Sequence, residues 1–162
     1  MNNSYYSTAQ ICLNGHNITA RYENRDSRSA EYCSDCGAKT ITECTSCKSD
    51  IRGFYNVPGV AVLGRKYIVP GYCHNCGQAY PWTEAALIAA KELAEEVENL
   101  TPREREILSQ SIDDIVSNGP RTVVATTRFK NLASKFVPSI ATGFKDILVD
   151  VVSESVKKSL WP

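Results

Sequence analysis

The second half of the chain has the spacing of apolar residues that is typical of amphipathic helices. From about residue 81 strong helix formers dominate, and Thr83 is placed to cap the start of a first helix. Apolar residues then recur every three or four positions: Leu87, Ala90, Ala94, Val97 and Leu100. This pattern predicts one helix that ends near residue 100.

Clearer boundaries mark the helices that follow. Thr101 can cap a second helix, with Pro102 in its first turn and Glu104 completing a capping box. The residues Asn-Gly-Pro at 118–120 end that helix, and a third is expected over 121–136.

A fourth predicted helix begins at Pro138 and runs to about Leu160. It has one apolar stripe, formed by Phe144, Leu148, Val151, Val152 and Val156. The pattern therefore predicts a helical region of about four helices at residues 83–162.

The first half has shorter apolar runs that suit strands. Between residues 51 and 72 Pro58, Gly59 and Gly64 mark turns, so hairpins are expected there. The strand-forming residues are Val57, Val60, Val62, Tyr67, Ile68 and Val69. Residues 1–82 are accordingly predicted to form a small β module.

Composition and length are those of a folded protein. The chain has 162 residues, of which 43% are apolar, enough for one ordinary domain or two small ones. No run of about 20 apolar residues could cross a bilayer, and the N-terminus lacks a basic stretch followed by an apolar one. We therefore expect a cytoplasmic protein.

Closely spaced cysteines change this picture, because an odd number of them makes a poor disulfide framework in a reducing compartment. The seven cysteines and one histidine form four pairs, one C-x3-H and three C-x2-C. The predicted ligands are Cys12, His16, Cys33, Cys36, Cys44, Cys47, Cys73 and Cys76. Eight ligands match two tetrahedral zinc sites with no cysteine left over.

Neighbouring residues support the metal-binding turns. Gly37 and Gly77 each follow the second cysteine of a pair, where a left-handed backbone is needed, and Gly15 has a similar role before His16. His74 lies inside the last turn, so its ring is expected to point away from the ion.

Two ways of pairing the turns fit the spacing. Sequential pairing gives a three-cysteine, one-histidine site and then an all-cysteine site, each a zinc ribbon. Interleaved pairing, as in RING domains, joins the first pair to the third and the second to the fourth. Sequential pairing is favoured because the long intervals then lie inside each ribbon, where hairpins can fill them. The expected fold class is thus a small zinc-stabilised β region with tandem ribbons, followed by an all-α region.

Around these residues the sequence resembles an uncharacterised bacterial family, domain of unknown function 2321. The resemblance rests on "AQICLNGHNIT", "YCSDCGAKTITECTSC", "IRGFYNVPG", "YCHNCGQAYPWTEAAL" and the terminal "FKDILVDVVSESVKKSLWP". It covers nearly the whole chain and implies a bacterial zinc-ribbon protein, without implying an activity.

Charge bears on the choice of partner. With two divalent ions and seven thiolates the formal net charge changes from 0 to −3, which disfavours nucleic acid overall. Residues 84–114 carry nine acidic and three basic side chains, whereas 118–145 carry five basic and none acidic. The simplest interpretation is that these segments pack against each other, and an external anionic partner is the alternative.

The function expected from these features is non-enzymatic, because eight ligands on two ions leave no open coordination position and no catalytic motif is present. An adaptor or regulatory protein that binds a partner protein, or self-associates through its helical half, is the leading hypothesis. One alternative is nucleic-acid binding, on a basic and aromatic face of Arg52, Arg65, Lys66, Tyr55 and Tyr67. Another is membrane-surface association through the C-terminal amphipathic helix.

Overall fold

A computed structural model describes residues 3–24 and 27–162 of the chain. The fold consists of two compact units, an N-terminal unit at Met1–Glu84 and a C-terminal unit at Ala85–Pro162. The N-terminal unit contains small sheets and two clusters of metal-ligating side chains, and five helices follow. The expected fold class is therefore confirmed.

In the part of the N-terminal unit that the structure describes, five short strands form two antiparallel sheets. The strands are β1 (Tyr5–Thr8), β2 (Gln10–Cys12), β3 (Asn17–Thr19), β4 (Thr40–Ile41) and β5 (Arg52–Asn56). One sheet pairs β1 with β5, and the other has the order β3-β2-β4. A 3₁₀ turn, Tyr22–Asn24, follows β3.

The hairpins expected between residues 51 and 72 are not formed. Within the described residues β5 ends at Asn56, and the segment from 57 to 71 is irregular. Gly59 and Gly64 do take left-handed backbone angles, as the predicted turns require. Among the described residues no strand pairs with the intervening apolar residues, and Leu63 is 94% exposed. Strand propensity does not produce a hairpin when no second strand is available for pairing.

A small core holds the N-terminal unit together. It is formed by Ala9, Ile11, Cys44, Ile51, Cys73, Tyr80 and Trp82. The rings of Tyr80 and Trp82 stack with centroids 4.7 Å apart, and the indole nitrogen of Trp82 donates a hydrogen bond to the carbonyl of Pro70. Two cysteines of one predicted metal site thus belong to this core.

The C-terminal region contains five helices. They are α1 (Pro81–Glu95), α2 (Pro102–Ser117), α3 (Thr122–Ala133), α4 (Pro138–Leu148) and α5 (Glu154–Leu160). The capping box of α2 is confirmed: the Glu104 amide donates to the Thr101 hydroxyl, and the Thr101 amide donates to the Glu104 carboxylate. Thr83, by contrast, does not cap α1, because the helix begins two residues earlier and Thr83 lies fully buried inside it.

The predicted fourth helix is two helices. α4 ends at Leu148, and Ser153 has an extended backbone and accepts a hydrogen bond from the amide of Val156, which caps α5. Three valines lie between the two helices, at 149, 151 and 152. Because β-branched residues weaken a helix, and Ser153 offers a competing cap, the chain breaks there.

Three phenylalanine rings pack together within the largely aliphatic core of the C-terminal unit. The ring centroids of Phe129, Phe136 and Phe144 lie 5.0 to 6.0 Å from one another. In the stripe predicted for the last helix, Phe144, Leu148, Val152 and Val156 are buried in this core, and Val151 packs against it. Among the described residues, no helix has the length and apolarity needed to cross a membrane.

Acidic and basic segments of this unit contact each other through ion pairs. Asp114 of α2 lies 2.9 Å from Arg121, and Glu104 of α2 lies 2.5 Å from Lys135. These pairs join the acid-rich segment to the base-rich one, as the simplest interpretation of the charge pattern expects.

Candidate metal centres

The three C-x2-C turns have the same backbone structure. In each, the amide of the first cysteine donates a 2.8 Å hydrogen bond to the carbonyl five residues on, at Ala38, Ser49 or Gln78. The carbonyl of the first cysteine accepts from the residue after the second cysteine, at 2.8 to 3.0 Å: Gly37, Lys48 or Gly77. This closed turn points both sulfurs of a pair to the same side.

The residue after the second cysteine has a left-handed backbone in all three turns. Gly37 has φ 72° and Gly77 φ 74°, as predicted for glycine at these positions. The turn of Cys44 and Cys47 differs, because Lys48 occupies this position with φ 64°. A side chain there costs roughly 1–2 kcal/mol of backbone strain that glycine avoids.

The first metal-binding turn is built differently. It follows β2, and the Cys12 amide donates to the carbonyl of His16 at 3.0 Å. Gly15 has φ 89°, and a Cβ added to it would lie 3.0 Å from the Cβ of Trp82. Glycine is therefore required at this position both for its backbone angle and for space.

The eight predicted ligands come together in two groups. Cys12, His16, Cys33 and Cys36 form the first cluster, and Cys44, Cys47, Cys73 and Cys76 form the second. Within each cluster all ligand atoms lie within 4.8 Å of one another. The metal-binding turns are thus paired sequentially, as favoured from the sequence, and not in the interleaved way. His74 lies outside both clusters, on the surface.

The ligand distances match a tetrahedral ion. An ion with metal–sulfur bonds of about 2.3 Å places two sulfurs about 3.8 Å apart, and a sulfur about 3.6 Å from a ligating nitrogen. In the first cluster the Sγ atoms of Cys12 and Cys36 are 3.8 Å apart, and Nδ1 of His16 lies 3.5 and 3.6 Å from the Sγ atoms of Cys12 and Cys33.

The second cluster gives the same result. The Sγ atoms of Cys44 and Cys76 are 3.8 Å apart, and those of Cys47 and Cys73 are 3.6 Å apart. These separations are the edges of a tetrahedron whose centre suits a metal ion. Both donor sets therefore fit one ion each, bound by four protein ligands.

Hydrogen bonds favour the thiolate form of several cysteines. The hydroxyl of Ser49 lies 3.3 Å from the Cys47 sulfur and, with the Ser49 amide and the Asn75 side chain, lowers the pKa of Cys47 to about 5. Backbone hydrogen bonding at Ala38 lowers the pKa of Cys36 to about 6. Ser49 and Asn75 were not identified from the sequence, although each lies two residues after a ligand in a metal-binding turn.

Other thiols resist ionisation. Burial raises the pKa of Cys12. At Cys76 the backbone hydrogen bond from Gln78 lowers the pKa, but burial and the three neighbouring cysteines outweigh it and raise the pKa to about 12. Four thiolates at these distances repel one another, so a cation at the centre is needed to keep all four deprotonated.

The two clusters differ in their surroundings. The first ligand of each pair is buried: Cys12, Cys33, Cys44 and Cys73. Cys44 and Cys73 are part of the core of the N-terminal unit, and Cys47 packs against it, whereas no cysteine of the first cluster belongs to that core. The second site is thus integral to the core, whereas the first adjoins the core through β2, which contains both Cys12 and the core residue Ile11.

Comparison with known proteins places the chain in a family. The family described as "Uncharacterized protein conserved in bacteria (DUF2321)" matches residues 5–160. The chain belongs to this family. No curated protein and no solved structure matches it. The resemblance found in the sequence is confirmed, and the match spans both metal clusters and all five helices.

Proposed function

We propose that the chain is a non-enzymatic zinc-ribbon adaptor that binds a partner protein, or a second copy of itself, through its helical unit. The observation that carries this proposal is the presence of two four-donor clusters with tetrahedral spacing. Such sites hold a structural ion and stabilise a small fold.

Zinc is the metal that these donors suit best. Thiolate-rich tetrahedral sites bind zinc or iron, and a set of three cysteines and one histidine is typical of structural zinc. The thiolates must stay reduced to bind, which favours the cytoplasm.

The ligand count supports a structural rather than a catalytic role for the ions. A catalytic zinc keeps one coordination position for water or substrate, and four protein ligands already complete the tetrahedron at each site. The ions then fix the backbone rather than react.

Exposed apolar side chains on the helical unit support a protein partner. α3 buries one side in the core, and its opposite side presents Val123, which is 77% exposed, beside Val124. Ile88 on α1 and Val137 before α4 are also about half exposed. Valine is a weak helix former, so its place on an exposed helix face is better explained by a contact than by helix stability.

Membrane-surface association is less well supported. The apolar stripe that would insert into a bilayer is packed into the helical core through Phe144, Leu148, Val152 and Val156. Membrane binding through this stripe would require the core to open.

Two experiments on the zinc-loaded protein test the proposal. Sedimentation velocity measures self-association, and cross-linking in a host extract captures partner proteins. Val123→Lys should abolish self-association or partner retention, whereas Gln110→Lys, which adds the same charge to an exposed site on α2, should not. A protein that stays monomeric and retains no partner sensitive to Val123→Lys would refute the adaptor function.

A further inference from the structure

We propose that the N-terminal unit binds single-stranded nucleic acid on a surface formed by Tyr6, Tyr55, Arg52 and Lys48, which we term the tyrosine face. This surface belongs to the N-terminal unit, so it is independent of the helical surface proposed for protein partners.

The tyrosine face is built on the sheet of β1 and β5. Tyr6 and Tyr55 are directly opposite each other in the ladder, with ring centroids 4.9 Å apart and planes inclined by 50°. The guanidinium of Arg52 lies 4.4 Å from the centroid of the Tyr6 ring. Both tyrosines are nearly half exposed. An arrangement of exposed rings and a stacked guanidinium offers flat surfaces on which unpaired bases can stack.

A cleft of about 390 Å³ adjoins the Tyr6 ring and is lined by Tyr6, Arg52, Lys48, His74 and Asp50, among others. Arg52 and Lys48 supply two positive charges against the single carboxylate of Asp50. A phosphate can be bound there while the neighbouring base stacks on a tyrosine.

The cations of this surface are free to bind an anion. Within residues 3–24 and 27–162, neither Arg52 nor Lys48 forms an ion pair. The helical unit differs, because several of its lysines and arginines are paired with carboxylates, Lys91 with Asp113 among them. The tyrosine face therefore presents two cations without carboxylate partners, although the chain as a whole is expected to be acidic.

Lys48 provides an independent argument. The equivalent residue in the other two C-x2-C turns is glycine, which takes the left-handed backbone without strain. The turn thus has no structural need for a lysine at this position. A strained residue whose side chain lines a cleft indicates a role for the side chain.

The structure also corrects the basic and aromatic face expected from the sequence. Tyr67 is half-buried, its hydroxyl donates to the carbonyl of Arg52 at 2.6 Å, and burial raises its pKa. Its ring packs against Phe54 with centroids 5.5 Å apart. Tyr67 therefore supports β5 from inside, and Tyr6, which the sequence did not single out, takes its place.

Single strands fit this surface better than a duplex does. Stacking on Tyr6 or Tyr55 requires bases that are not paired, and two cations neutralise few of the phosphates on a duplex. The thiolates of the second cluster are close in sequence to Lys48 and add negative charge, which further disfavours a dense array of phosphates.

The test is fluorescence anisotropy with zinc-loaded full-length protein and labelled oligo(U) and oligo(dT), and a duplex of the same length for comparison. We expect both single strands to bind at low salt. A plot of the logarithm of the binding constant against the logarithm of the salt concentration should have a slope of about −1.4, as expected for two phosphate contacts. Tyr55→Leu should weaken binding about tenfold without changing the slope.

Lys48→Gly separates binding from folding. It should reduce the slope to about −0.7 while raising the melting temperature, because glycine relieves the backbone strain. The matched controls Tyr32→Leu and Lys39→Gln alter an exposed tyrosine and a lysine elsewhere in the N-terminal unit and should leave affinity unchanged.

Three results would overturn the proposal. They are no binding at low salt, duplex binding as tight as single-strand binding, and equal losses in the control variants. Displacement of the oligonucleotide by polyglutamate at equal charge concentration would likewise show that the surface binds acidic polymers in general, including acidic protein segments.

Discussion

Replacing Cys44 with serine should disrupt the N-terminal unit far more than replacing Cys36. Cys44 is 2% exposed and belongs to the core that includes Ile11, Ile51 and Trp82, whereas Cys36 is exposed and lies outside that core. Loss of either ligand should empty its own site, but only the second site contributes cysteines to the core.

The expected magnitude is large. A structural zinc site contributes on the order of 10 kcal/mol to the folding of a small module. Typical domains are stable by roughly 5–15 kcal/mol, so loss of the second site should remove most of the stability of the N-terminal unit. Loss of the first site should release the turn at Cys12 and loosen the contact of Gly15 with Trp82, while the rest of the core stays packed.

Tryptophan fluorescence provides the assay. The chain has two tryptophans, and in a Trp161→Phe background Trp82 alone reports on the N-terminal core, where it is 6% exposed. Cys44→Ser should shift its emission to the red, as expected for a solvated indole, and Cys36→Ser should shift it less, because only the contact of Trp82 with Gly15 is loosened. Equal shifts in the two variants, or none in Cys44→Ser, would refute the distinction between the sites.

Three further predictions concern stability and pH. Phe144→Ala should destabilise the helical unit by about 3–5 kcal/mol in urea unfolding, because it removes a buried ring, whereas the exposed control Val123→Ala should change stability by less than about 0.5 kcal/mol. Ser49→Ala should raise the pKa of Cys47, so that protons compete better with zinc for the thiolate. When the pH is lowered, zinc release, followed with a chromogenic indicator, should therefore begin at a higher pH than in the wild type. An unchanged midpoint pH of release would contradict this. Gly53→Ala should reduce the free energy of unfolding by roughly 1–3 kcal/mol and so lower the melting temperature, because the added Cβ would collide with backbone oxygens of two adjacent segments. An unchanged melting temperature would show that β5 can move aside.

Local chemistry explains what could be predicted from the sequence. The metal-binding turns and the capping box at Thr101 depend on residues within a few positions of one another, so spacing alone identified them. The favoured pairing of the turns was also the one observed, although the hairpins expected between residues 51 and 72, on which the preference partly rested, are not formed.

Features that depend on distant partners could not be predicted in this way. Val60 and Val62 have strand propensity, but no strand lies beside them among the described residues. The contact of Tyr6 with Tyr55 depends on the register of β1 and β5, which are separated by most of the N-terminal unit. The positive φ of Lys48 could not be predicted either, because lysine, unlike glycine, does not indicate a left-handed backbone.

Native mass spectrometry tests the central claim, that the chain holds two structural zinc ions in separate four-ligand sites. Protein purified without chelator should carry the mass of two zinc ions per chain. Cys12→Ser and Cys44→Ser should each carry one, because each variant leaves the other cluster complete. A wild-type chain with a single ion, or with iron in place of zinc, would contradict the account.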